Sequence, residues 1–104
     1  MEPREEVQLD LKANLKRGIE YVGGKLQITN EAMYFTPHSF NVQKKDLVIS
    51  VSEIKTIEAA RILGVSPNGV VIHLKDNHCY KFTIGLPMSN KRQEVIDFIH
   101  SLIG

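Results

Sequence analysis

The chain has 104 residues, 42% of them hydrophobic, which suits one compact domain and is too apolar for a disordered chain. Thirteen Lys and Arg against twelve Asp and Glu leave a net charge of +1, without the basic excess of a dedicated nucleic-acid binder. The single cysteine excludes an intramolecular disulfide framework and a cysteine-rich zinc site.

Residues 1–6 are polar and acidic, so they are expected to be a disordered N-terminus and they do not read as a signal peptide. One domain is expected over 7–104, with no apolar run near the roughly 20 residues that span a bilayer. Together with the lone cysteine, this points to a cytoplasmic location, or to the periphery of a membrane.

Val7, Leu9, Leu11, Ala13 and Leu15 alternate with Gln8, Asp10, Lys12, Asn14 and Lys16, the period of a strand with one buried face. Arg17-Gly18 breaks that run, and a second strand is expected over 19–29. Its apolar phase shifts between Ile19/Tyr21 and Leu26/Ile28, so the spacing predicts a β-bulge at Gly23-Gly24. A short turn at Asn30-Glu31 leads to a third strand over 32–37. Pairing across it sets Ile28 against Met33 and Leu26 against Phe35, with all four on one face.

Residues 37–46 form the longest irregular stretch. Leu47, Ile49 and Val51 then alternate as a fourth strand. Ile54, Ile57 and Ala59 suggest a fifth, although Ile54 and Ile57 also fit one helical turn. Ser66-Pro67-Asn68-Gly69 has turn chemistry. Val70, Ile72 and Leu74 form one apolar face and Tyr80, Phe82 and Ile84 its counterpart, with Leu74 against Tyr80 and Ile72 against Phe82 across a three-residue loop, Asp76-Asn77-His78, in which Asn77 or His78 is left-handed. A helix follows, capped by Ser89 or Asn90, with Gln93 placed for a capping box. Its apolar stripe is Val95, Phe98, Ile99 and Leu102, widened by Ile96 and Ile103. Seven strands and then one helix give the α+β class: a bent antiparallel barrel with the helix over one opening.

Several strings within this order resemble the GRAM domain, a member of the pleckstrin-homology-like superfold. They are the run 13–20 (ANLKRGIE), Gly23-Gly24-Lys25-Leu26, Ile28-Thr29, the run 35–43 (FTPHSFNVQ), the run 63–69 (LGVSPNG) and Tyr80-Lys81-Phe82. The resemblance spans roughly residues 7 to 103 and departs at Gln93, where relatives often carry an aromatic residue. It implies a pleckstrin-homology-like barrel and a non-catalytic module that binds lipid headgroups or peptides, with no cofactor.

Two basic dipeptides, Lys16-Arg17 and Lys44-Lys45, flank connections that lie at one open end of such a barrel. Four converging cations would each contribute about 1 kcal/mol near an anionic membrane. Against this, lysines beside turns are often simply solvated, and Glu20 and Asp46 would cancel part of the field. His38, Phe40 and Asn41 in the long loop either plug the sheet or read a ligand. The segment Ile62-Leu63-Gly64-Val65 either completes the fifth strand or docks on a partner. His73, His78 and Cys79 are the one conceivable metal cluster, but they lack a fourth ligand and a known spacing. Cys79 has no base or oxyanion donors placed to activate it.

The residues therefore point to a binding module and not to an enzyme. Protein–protein interaction through a sheet edge or the open-end loops is the first expectation. Anionic, phosphoinositide-like lipid binding at Lys16, Arg17, His38, Lys44 and Lys45 is the second. Oligomeric state is not legible in the sequence.

Overall fold

The computed structural model describes residues 5–38, 46–62, 66–85 and 90–104, without the side chains of Ile62, Ser66 and Pro67. Alternation makes β1 (Leu9–Arg17), which pairs along its whole length with β2 (Glu20–Ile28). Gly18 at φ +62° opens a two-residue turn, the glycine-first pattern that matches strand twist. β3 (Ala32–Pro37) continues the meander, and Ile28 faces Met33 and Leu26 faces Phe35, as expected. β4 (Leu47–Ser50) ends this side of the sheet, and Val51 begins a 3₁₀ turn (Val51–Glu53) instead of extending the strand.

β5 (Ile54–Ile62), β6 (Ser66–Leu74) and β7 (Cys79–Ile84) form the other half. β7 pairs with β1, so the sheet runs β4-β3-β2-β1-β7-β6-β5 and curls into a half-barrel. The 3₁₀ turn ties its ends together: the Val51 amide donates to the Glu31 carbonyl, and the Lys75 amide donates to the Glu53 carbonyl. The helix α1 (Lys91–Ile103) closes the opening and covers the β5 edge. There Arg92 Nη1 donates to the Ala60 carbonyl at 3.3 Å, and His100 Nε2 donates to the Ile57 carbonyl at 3.2 Å. Among the described residues, no helix is long and apolar enough to cross a membrane.

The core is the set of inward positions from all seven strands plus Val95, Ile96 and Ile99 of the helix. At its centre Phe35 meets Phe82 edge to face, with ring centroids 5.7 Å apart. Phe98, Leu102 and Ile103 pack at its rim and are only partly buried.

Five expectations need correction. There is no bulge at Gly23-Gly24: β1 and β2 stay in one register throughout. The apparent phase shift arose from counting Ile19 as a strand residue, whereas it is a turn residue and 97% exposed. The extra residue lies instead in β5, between Ile54 and Thr56, which keeps Ile54 and Ile57 both buried without a helical turn. Ser66-Pro67-Asn68-Gly69 opens β6 and is not a turn, because Asn68 is buried and its amide donates to the Gly85 carbonyl at 3.0 Å.

The β6–β7 loop has the expected three residues one position earlier, Lys75-Asp76-Asn77, so Val70 faces Phe82 and Ile72 faces Tyr80. Asn77 is left-handed at φ 74°, as one of the two residues proposed for that role. The capping box does not form: Asn90 makes no side-chain cap bond, and Gln93 donates to Asp97. At the N-terminus, Glu5 accepts hydrogen bonds from Thr29 and Tyr34, each at 2.7 Å. Contacts to the sheet thus begin before residue 7, the boundary expected from sequence.

Candidate ligand-binding site

Period two settles where the first basic pair points. Lys16 leaves the convex face of β1 with Lys12 and Asn14, while Arg17 leaves the other face and sits opposite Glu20. The two adjacent cations therefore diverge. Lys44 and Lys45, with Phe40, Asn41 and residues 63–65, lie outside the described residues. His38 is described: its amide donates to the Gly23 carbonyl at 3.0 Å, which carries it past β3 onto the convex face.

That face holds a constellation that the basic dipeptides do not mark. The two-residue turn sets Lys12 directly opposite Lys25, Asn14 opposite Gly23, and Lys16 opposite Tyr21. On the other flank Asn14 faces Thr83 of β7 and donates Nδ2–H to its Oγ1 at 2.9 Å. Lys12, Ala13, Asn14, Gly23, Gly24, His38 and Gly85 line an open pocket of about 270 Å³. Gly23 is its floor. A Cβ there would lie 3.2 Å from Asn14 Oδ1 and 3.7 Å from His38 Cδ2, so any side chain would fill the space between them.

The electrostatics are uneven. Like charges directly opposite across an antiparallel pair destabilise it, and Lys12 and Lys25 are such a pair. Lys25 leans toward Asp10 at 3.4 Å, and Gln27 donates to the same Asp10 oxygen at 3.3 Å. Asp10 is thereby engaged away from the pocket. Beyond the last β1–β7 pair, Leu15 with Phe82, the next outward residues are Lys16 and Lys81. The convex face of β2-β1-β7 is thus predominantly cationic. Lys12 belongs to the polar face of β1 in the alternation of the sequence. The register set by the Gly18-Ile19 turn, with Arg17 opposite Glu20, is the sequence signal that places Lys12 opposite Lys25.

The second constellation is spoken for locally. His73 and Cys79 are direct partners across β6 and β7, and His73 Nε2 donates to Glu58 Oε1 at 2.8 Å. His78 donates to Asp76 at 2.9 Å, which holds the Asp76 carboxyl below its ordinary range, first through that side-chain bond and then through the His78 amide. Among the described residues no three metal-ligating side chains gather.

Comparison with solved structures places these features in a known fold. The C-terminal domain of an unknown protein from Leishmania infantum superposes with TM-score 0.75 at 16% identity, covering 96% of this chain and 86% of that one. The Slm1-PH domain in complex with inositol 4-phosphate gives TM-score 0.73 at 17% identity, covering 94% and 96%. The same domain in complex with phosphoserine gives 0.71 at 16%, covering 94% and 97%. At such identities the likeness speaks to the fold. Comparison with curated protein sequences yields no match. The GRAM domain family model matches residues 1–103, nearly the whole chain, and the seven-stranded half-barrel closed by one C-terminal helix agrees with it: the chain belongs to the GRAM domain family.

Proposed function

We propose that this GRAM domain is a non-catalytic binding module that takes a phosphomonoester on a small polar carrier, such as a lipid headgroup, in the convex-face pocket. Lys12 carries this reading: it rims the pocket on a predominantly cationic face, and Lys25 directly across from it adds positive field while pairing with Asp10. His38 brings an imidazole to the rim, and the bare Gly23 floor leaves room for a phosphate. Inositol 4-phosphate and phosphoserine, bound by the Slm1-PH domain, share only that phosphomonoester chemistry.

The test is an NMR titration with inositol 4-phosphate and with O-phosphoserine. Amide shifts at Gly23, His38 and Gly85 are expected, lost in Lys12→Glu and in Gly23→Val. Unchanged spectra at millimolar ligand, or binding unaffected by Lys12→Glu, would overturn it.

A protein partner rests on a different observation. β4 is a four-residue edge strand whose outward Val48 is 57% exposed, and edge strands accept an added strand. A Val48→Lys variant that still captures its partner would remove this second reading.

A further inference from the structure

The sheet has two end strands, and the fold finishes them differently. β5 is closed by the helix, whose Arg92 and His100 side chains hydrogen-bond the Ala60 and Ile57 carbonyls. β4 has no protection of that kind beyond its shortness. Its four residues, Leu47-Val48-Ile49-Ser50, include no charge and no proline, and among the described residues no backbone group outside the sheet bonds to it. We propose that the β4 edge pairs with the β4 edge of a second copy of this chain, across a two-fold axis through Val48. The proposal rests on the strand-addition reading above and names the strand that is added.

Pattern selects the partner and the register. Residues opposite each other in an antiparallel pair share a face, so inward must meet inward and outward must meet outward. A register one residue out sets outward Val48 against Ile49, which belongs to the core. An axis through Ile49 brings in Val51, which has already entered the 3₁₀ turn. An axis through Val48 pairs Val48 with its own copy, Leu47 with Ile49, and Asp46 with Ser50. Every face then matches over the longest stretch that β4 and its flank allow.

The chemistry of that register is self-complementary. Tyr34 of β3 lies directly opposite Val48, so the junction continues the convex face as Tyr34, Val48, the second copy's Val48 and its Tyr34. Aromatic and β-branched neighbours across strands each contribute about 0.2–1 kcal/mol. Val48, 57% exposed in one copy, is covered in two. Leu47, only partly buried at the rim of the core, gains an isoleucine beside it. At both ends of the junction a Ser50 hydroxyl donor meets an Asp46 carboxylate. The net charge of +1 gives two copies little cause to repel. Five paired residues span roughly 17 Å, well short of a standard interface, so the dimer is weak, with a Kd on the order of 100 μM. Its axis is normal to the sheet, so both convex faces, each with its Lys12 pocket, look the same way.

Sedimentation equilibrium from about 10 μM to about 1 mM, which brackets that Kd, is expected to show the mass rising from 11.8 kDa toward twice that value. Over the same range the amides of residues 46–50 are expected to shift in NMR spectra. Val48→Lys should raise the dimer Kd by at least about tenfold, because the axis sets each new ammonium group against its own copy. It should leave the Tm unchanged, since the side chain is exposed. Val48→Glu should act alike, and an equimolar mixture of the two variants should recover the dimer. A mass of 11.8 kDa throughout overturns the proposal, as does a Val48→Lys protein that dimerises like the parent or a mixture that stays monomeric. A synthetic peptide alternating valine and threonine separates the two readings. If it shifts the β4 amides of a protein that stays monomeric, the second copy is refuted and strand addition stands; if neither the peptide nor a second copy binds there, both fall.

Discussion

Adjacent glycines in β2 face opposite sides of the sheet, and replacing each by alanine should give opposite results. A Cβ on Gly24 would lie 2.5 Å from the Thr36 carbonyl oxygen, 2.7 Å from Phe35 Cζ and 2.9 Å from Pro37 Cα. Two of those atoms are backbone of the neighbouring strand, so β3 must retreat by roughly 1 Å, more than its hydrogen bonds to β2 tolerate. Overpacking of this kind costs about 1–3 kcal/mol. Displacing Phe35 from its edge-to-face contact with Phe82 forfeits part of a further ~0.5–1.5 kcal/mol. Alanine's lower unfolded-state entropy returns about 0.5–1 kcal/mol. The net loss is about 1–3 kcal/mol, a fall in Tm of roughly 5–20 °C for a domain of this size. Gly23→Ala meets only the side chains of Asn14 and His38, which can give way, so its stability should stay within about 1 kcal/mol of the parent. Thermal and urea unfolding followed by circular dichroism decide the matter. A Gly24→Ala protein as stable as the parent, or a Gly23→Ala protein equally damaged, would refute the steric account.

Other outcomes follow from the same contacts. Ile99→Ala, in a fully buried position of α1, should cost about 2–4 kcal/mol, while Leu102→Ala at the half-exposed rim should cost about half that; equal urea midpoints would contradict the assigned helix face. Asn77→Gly should leave the Tm near that of the parent, and Asn77→Val should lower stability by about 1–2 kcal/mol, because a β-branched residue resists φ 74°; a neutral valine would sink that reading. The Asp76 carboxyl, held below its ordinary value of 3.8 by His78, stabilises the hairpin fully above that value and loses the effect as pH falls through its lower folded pKa. The His78 amide, which donates to Asp76 Oδ1, should therefore titrate with a midpoint below 3.8, and one at or above it would contradict the bond.

The meander was legible because each tight turn fixes a register that its apolar faces can check. Ile28 against Met33 follows from a turn length and a period of two, both local. What failed was decided by distant residues. Asn68 and Gly69 carry turn chemistry, yet they lie in β6 because Asn68 finds the Gly85 carbonyl and Gly69 pairs with Ala60 and Thr83. One fully exposed isoleucine, read as a strand residue, moved the bulge from β5 to β2. In the site, reading Lys16-Arg17 as a unit ignored the alternation already established for that strand. Lys12 and Lys25, far apart in sequence and ordinary one at a time, acquire meaning only once the turn sets them face to face.

The junction of β1 with β7 also bears on how the chain reaches its native state. β1 to β4 form by neighbouring hairpins, as do β5 to β7, but the pairing of Ala13, Asn14 and Leu15 with Ile84, Thr83 and Phe82 joins residues as much as 71 positions apart. Closing so long a loop must precede most of the reward, so this seam is expected to form late and to set the folding rate. Substitutions of Ile84 should then speed unfolding while hardly slowing the early hairpins. Because Asn14 both bridges the seam and lines the pocket, an anion held there would slow the parting of the two halves, and ligand would act as a kinetic lock.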